Sequence, residues 1–247
     1  PITALIAVLS KAAALALTLR FLAIAASNAI DEWRMPLAIL AAATITIGTL
    51  SALPQHNIKR LLAYSSISQV GFVLVGIIPM TLLAADSVVL HLVGYAFTNL
   101  AAFTVIIAIE TNSGKEAIAD YAGLAKRSPW LAMILTGALF SLAGLPIFAG
   151  FITKFYLFVA AVDQQLLWLV CIAVINSVIS LYYYLRVIRE MYVTESDHTA
   201  KLPVPRLTTA TASVLFLGTI LVGVYPGPLL DAISASTRVV LAPFLGG

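Results

Sequence analysis

The sequence predicts an all-α, polytopic transmembrane helix bundle of about seven spans, one of them discontinuous. Three observations carry that prediction. Of 247 residues, 61% are hydrophobic and only 10% are charged, against roughly 25% charged in a soluble domain. The mean hydropathy is +1.03. The apolar residues also come in long runs, not in the short alternating segments of a β-barrel, so the spans are helices that satisfy their own backbone within lipid.

The runs cover residues 2–27, 35–53, 61–80, 86–110, 129–163, 166–188 and 207–226. Each is long enough to cross a hydrocarbon core about 30 Å thick. As one helix, 129–163 would run about 50 Å at 1.5 Å per residue, too far for a single unbroken crossing. Its centre reads Ala143-Gly144-Leu145-Pro146-Ile147-Phe148-Ala149-Gly150, and proline flanked by glycines interrupts a helix. One span unwound near 144–150 is therefore expected. The chain opens on Pro1 inside an apolar run, without the charged n-region and cleavage site of a signal peptide. A piece of a longer protein is the expectation from that start.

Basic residues set the orientation. With the N-terminus on side A, the side-A loops hold Lys59, Arg60, Lys115, Lys126, Arg127, Arg186, Arg189, Lys201 and Arg206, and side B holds Arg34 and Arg238. Nine against two places side A in the cytoplasm, and the alanine-rich composition suits a bacterial inner membrane. Loops 54–60, 111–128 and 189–206 are then cytoplasmic. Residues 227–247, opening on Pro226-Gly227-Pro228, are expected as a tail along the interface.

Several function classes are disfavoured. A net charge of +3 is too small to mark a nucleic-acid partner; the apolar runs make the lipid bilayer the partner. The lone Cys171 can form no intrachain disulfide and reads as a packing residue. There is no glycine-rich nucleotide loop after a strand and no CxxC, and His56 and His198 fall in loops. The chain is therefore expected to hold no redox cofactor and no metal.

What remains is a set of polar residues inside apolar runs. Lys11 lies about 14 Å into the first span, and Lys154 at a similar depth from the far end of the broken span. An intramembrane lysine costs from about 2.5 to more than 10 kcal/mol, and desolvation favours a lysine's neutral form, which makes such a group able to exchange protons. The alternative is that each lysine anchors a neighbouring helix through a buried ion pair. His91 and Tyr95, with Thr98 and Asn99, form a polar stripe on the fourth span at helical spacing. The stripe suits a proton relay between the lysines or plain interhelical hydrogen bonding. If that helix starts at Asp86, His91 lies about 8 Å in. Tyr64, Ser65, Ser66 and Ser68 line a hydrated path or bond neighbouring helices. Tyr182-Tyr183-Tyr184, followed by Arg186 and Arg189, reads as an interfacial aromatic belt, with quinone stacking as the alternative.

The motifs carry a resemblance. Ser10-Lys11-Ala12 and Asn57-Ile58-Lys59-Arg60-Leu61-Leu62-Ala63-Tyr64-Ser65-Ser66-Ile67-Ser68-Gln69-Val70-Gly71 resemble the Mrp antiporter-like proton-channel family. Asp120-Tyr121-Ala122-Gly123-Leu124, Ser141-Leu142-Ala143-Gly144-Leu145-Pro146, Gly150-Phe151 with Lys154-Phe155-Tyr156, and Tyr182-Tyr183-Tyr184-Leu185 look like the subunit N (subunit 2) branch of complex I. The resemblance implies a single membrane domain: residues 1–27 as the central lysine helix, 35–192 as the second inverted repeat, and 207–247 as the last helix and tail. It implies Lys11 as the central lysine, Lys154 as the terminal lysine of the broken helix, and His91 and Tyr95 as relay residues. It also implies partners among the other membrane subunits of complex I, the neighbouring antiporter-like subunit M and small membrane subunits, with NADH, FMN, iron–sulfur clusters and quinone held by partner subunits. An Mrp-type sodium/proton antiporter subunit is the alternative.

Overall fold

The computed structural model describes residues 6–25, 30–195 and 202–245. A π-helical turn, Ile6–Ser10, runs directly into α1 (Lys11–Ala25). There follow α2 (Ile30–Ala52), α3 (Ile58–Ile77), α4 (Leu82–Ser113), α5 (Pro129–Ala143), α6 (Ala149–Asp163), α7 (Leu167–Tyr192), α8 (Arg206–Val224) and α9 (Gly227–Leu245). The described residues form no named strand. The ends of the expected first span, residues 2–5 and 26–27, lie outside the described residues, as do His198 and Lys201 of the 189–206 loop.

The helix ends follow their local sequence. The Asn57 carboxamide oxygen accepts from Lys59 N at 2.9 Å and Arg60 N at 3.1 Å, capping α3. Thr81 Oγ1 accepts from Ala84 N at the start of α4. Gly114, left-handed at φ 67°, closes α4. Pro129 opens α5, where a missing N–H costs nothing.

Among the described residues five helices, α2 from Glu32 together with α3, α4, α7 and α8, are long and apolar enough to cross a membrane, and α5 is a shorter apolar helix. α5 and α6 are the two halves of the expected discontinuous span, separated by residues 144–148. The chain is a multi-pass membrane protein. α4 corrects the expected boundary: its 32 residues begin at Leu82, not Asp86. His91 therefore sits nine residues inside the helix, about 14 Å from its start, deeper than the 8 Å expected.

Helix α4 is the central post, touching α3, α5, α6, α8 and α9. The last helix, α9, folds back onto α4 and α1. Ser234 Oγ donates to Asp86 Oδ2 at 2.5 Å, and Thr237 donates to the other oxygen of the same carboxylate. The expected interfacial tail is thus a helix docked on the bundle.

The three basic loops meet at one end. Ile118 N donates to His56 O at 2.8 Å and Ile58 N to Glu116 O at 3.1 Å. Lys59 Nζ bonds Glu110 at 2.6 Å and Glu116 at 2.7 Å. Gly123 N reaches Glu190 O at 3.2 Å, and Leu202 N reaches Arg127 O at 3.4 Å. Arg186 donates to the carbonyls of Leu53, at 3.0 Å, and Gln55. The grouping deduced from charge, with all three loops on one side, is the grouping in the fold.

Candidate functional site: a buried lysine at the broken helix

The break is built by two residues. Gly144 takes φ +90°, a conformation that suits glycine. Its N–H turns back to Phe140 O at 3.0 Å and Ser141 O at 2.9 Å, and Leu145 N also returns to Phe140 O. Pro146, four residues after Leu142, has no N–H to continue the helical ladder. The carbonyls of Leu142 and Ala143 are left without backbone donors at the negative end of α5.

Lys154, from the second turn of α6, fills that need. Its Nζ donates to Leu142 O at 2.9 Å, Ala143 O at 3.3 Å and Ser177 Oγ at 3.0 Å. It also lies 4.4 Å from the centre of the Phe72 ring, a cation–π distance. The residue is 4% exposed. No carboxylate bonds it among the described residues; backbone dipoles, a hydroxyl and an aromatic face do. Among the described residues, then, no ion pair anchors Lys154.

The half-helices meet at Gly150. A Cβ there would lie 1.7 Å from Ser141 O, so only glycine lets α6 begin against the last turn of α5. Gly150 N donates to Ser141 Oγ at 3.0 Å, and Ser141 Oγ lies 2.9 Å from Thr98 Oγ1. One hydroxyl thus ties α4 to both halves of the broken helix.

The stripe on α4 is buried and faces this junction. His91 Nδ1 is 3.0 Å from Thr153 Oγ1, the residue before Lys154. Its Nε2 is buried without a protein partner among the described residues. One turn on, Tyr95 OH lies 2.6 Å from Ser66 Oγ and accepts from Asn99 Nδ2 at 3.1 Å. Gln69, one turn after Ser66 on α3, donates to Leu142 O at 3.2 Å, the carbonyl that also holds Lys154. These side chains form a polar cluster in which His91 bonds the neighbour of Lys154 and Gln69 shares a carbonyl with it, while no hydrogen bond among the described residues joins Tyr95 to His91 or Lys154. Chemically it gathers hydroxyl, imidazole and amide groups around one lysine amine, groups able to exchange hydrogen bonds and protons.

Lys11 stands apart. It is the first α-helical residue after the π turn, half-buried, and makes no hydrogen bond or ion pair among the described residues. Helix α1 touches α3 and α4, so Lys11 is on a helix against the cluster without being bonded into it. Such π turns recur at functional sites.

One sequence reading is corrected. Tyr183 and Tyr184 are 1% and 0% exposed, and only Tyr182, at 66%, faces outward. Consecutive residues on a helix point 100° apart, so a run of three cannot form one surface belt. Tyr184 OH instead bonds Ser65. Gln69, Ser141, Thr153 and Ser177 were not singled out for the lysine site. All four carry the same signal, as polar residues inside apolar runs.

A buried lysine cradled by the carbonyls of a broken membrane helix, with polar side chains around it, is the discontinuous-helix architecture on which many membrane transporters are built. The sequence model of the family described as "NADH:quinone oxidoreductase/Mrp antiporter, TM" matches residues 1–180, and the chain belongs to that family. It is 40% identical over 238 residues to the NADH-quinone oxidoreductase subunit N of Desulforamulus reducens, covering 96% of this chain and 50% of that one. The structure of the Mrp complex from Dietzia sp. superposes with a TM-score of 0.83 at 23% identity, over 93% of this chain and 51% of that chain, which is a likeness of fold. Respiratory complex I from Thermus thermophilus with bound aureothin gives 0.70 at 28% identity, over 81% and 46%. The chain spans about half the length of the curated relatives it matches.

Proposed function

We propose that this chain moves protons as part of a membrane subunit of NADH:quinone oxidoreductase, complex I, whose other subunits carry out the redox chemistry. The observation that carries the proposal is Lys154. A buried lysine held by neutral acceptors, with no carboxylate bonded to it among the described residues, has no ion pair to fix its charge, and the His91 imidazole bonds Thr153, the residue before it. The likeness to relatives named NADH-quinone oxidoreductase subunit N supports the assignment. In this reading Lys11 supplies a proton, His91 and Tyr95 relay it with water, and Lys154 releases it outside. The partners are the neighbouring antiporter-like subunit M and small membrane subunits; NADH, FMN, iron–sulfur clusters and quinone belong to partner subunits. Loops 54–60, 111–128 and 189–206 face the cytoplasm of a bacterial inner membrane.

A second reading, an Mrp-type sodium/proton antiporter subunit, is favoured by the fold likeness to the Mrp complex. Membrane vesicles separate the two. NADH-driven acidification that needs no sodium, lost in Lys11→Met and in Lys154→Met and kept in Lys115→Met, supports the first reading. Sodium-dependent proton exchange without NADH or quinone supports the second.

A further inference from the structure

Resting on proton exchange at Lys154, we infer that Ser177 is a positioning residue that lets Lys154 change protonation state without leaving its cradle. An ammonium offers three N–H donors and an amine offers two, with a lone pair that needs a donor. Of the groups bonded to Lys154 Nζ, Leu142 O and Ala143 O can only accept. Ser177 Oγ, at 3.0 Å, is the one that both accepts and donates.

In the structure the Ser177 hydroxyl donates to Ala143 O at 2.7 Å, which leaves its lone pairs for the ammonium. When Lys154 gives up one proton to the relay, one N–H is lost and the nitrogen lone pair appears. Rotation about the Ser177 Cβ–Oγ bond moves the hydroxyl hydrogen from Ala143 O to that lone pair, and Ala143 O is released to accept from a remaining amine hydrogen. No covalent bond of Ser177 is made or broken, and only the lysine loses a proton. The swing costs little because both acceptors are already within bonding distance of Oγ. Position supports the role. Ser177 comes from α7, a different helix from either half of the break, and with Lys154 it lines a cavity of about 290 Å³ between α6 and α7. That cavity is otherwise apolar, with Phe151, Phe155 and Val178 among its walls, and its remaining walls, Gly144 included, present no other side-chain hydroxyl.

The test compares Ser177→Thr with Ser177→Val in the assembled complex, two side chains of nearly the same shape that differ in the hydroxyl. The readout is the ratio of protons pumped to NADH oxidised in vesicles. Thr is expected to keep the ratio, and Val to lower it roughly 3- to 10-fold, the equivalent of one hydrogen bond. The amount of assembled complex is expected to be the same with Val as with Thr. If Val pumps as well as Thr while Lys154→Met is defective, water in the cavity supplies the donor and the role of Ser177 is overturned. If Val lowers the amount or the melting temperature of the assembled complex in step with pumping, its effect is structural and the inference is again overturned. If Lys154→Met itself pumps normally, the proposed function fails first.

Discussion

Lys154 is buried, yet every group bonded to it is formally neutral. A bilayer charges from about 2.5 to more than 10 kcal/mol for such a group, and an ion pair would offset that by fixing the charge permanently. Carbonyls at a helix C-terminus offset it partly and leave the proton removable. Sequence reading located both lysines, because a charge inside an apolar run is visible without coordinates. The cradle could not be read, since Leu142 and Ala143 contribute main-chain oxygens that any residue carries. Gly150 gives a test at the same scale. Gly150→Ala places a Cβ against Ser141 O, so it should destabilise the junction by roughly 1–3 kcal/mol or more. A thermal melt of the purified complex, with subunit content read alongside, measures it; an unchanged melt and full assembly would show that the helices part easily.

Among the elements, the discontinuous span and the α4 stripe were legible because proline, glycine and helical spacing leave marks in sequence. The start of α4 was not, because Thr81 caps it through one hydroxyl, and the apolar Leu82 and Leu83 look alike inside a helix or before it. The tyrosine run misled because residue type was read without the 100° rotation. The loop clamp was invisible, since it depends on backbone bonds between segments about sixty residues apart. It also titrates. Hydrogen bonds from Lys59, then Asn57, hold the Glu116 carboxyl down at about 2, below its ordinary 4.5. A depressed carboxyl stabilises the fold above its unfolded value and loses that contribution as pH falls through the folded one. Hydrogen-exchange protection at Ile58 and Ile118, corrected for intrinsic rates, should hold above about pH 5 and fall as pH drops from 4.5 toward 2. Glu116→Gln should lower protection at neutral pH and flatten the dependence. Protection that ignores both would mean the ion pairs do not hold the loops. Within the cluster, Tyr95→Phe should lower pumping by up to about 10-fold, the worth of one hydrogen bond, because Ser66 and Asn99 lose their shared partner. Vesicle acidification reads it, and wild-type rates would remove Tyr95 from the relay.

For the whole molecule, the charge bias and the fold agree on which loops share a side, and labelling settles which side that is. In a Cys171→Ser background, a cysteine at Glu32 should react with an impermeant reagent from outside intact cells, and one at Lys115 only after permeabilisation. The reverse pattern would invert the proton path. The central claim is that Lys154 must lose and regain a proton for the complex to pump. Lys154→Arg tests it most directly, because arginine keeps the charge and a long side chain but does not deprotonate in proteins. NADH-driven acidification of vesicles carrying the assembled variant should fall to the level of Lys154→Met. Wild-type pumping with arginine at 154 would show that a fixed charge suffices, and would contradict proton exchange at this lysine.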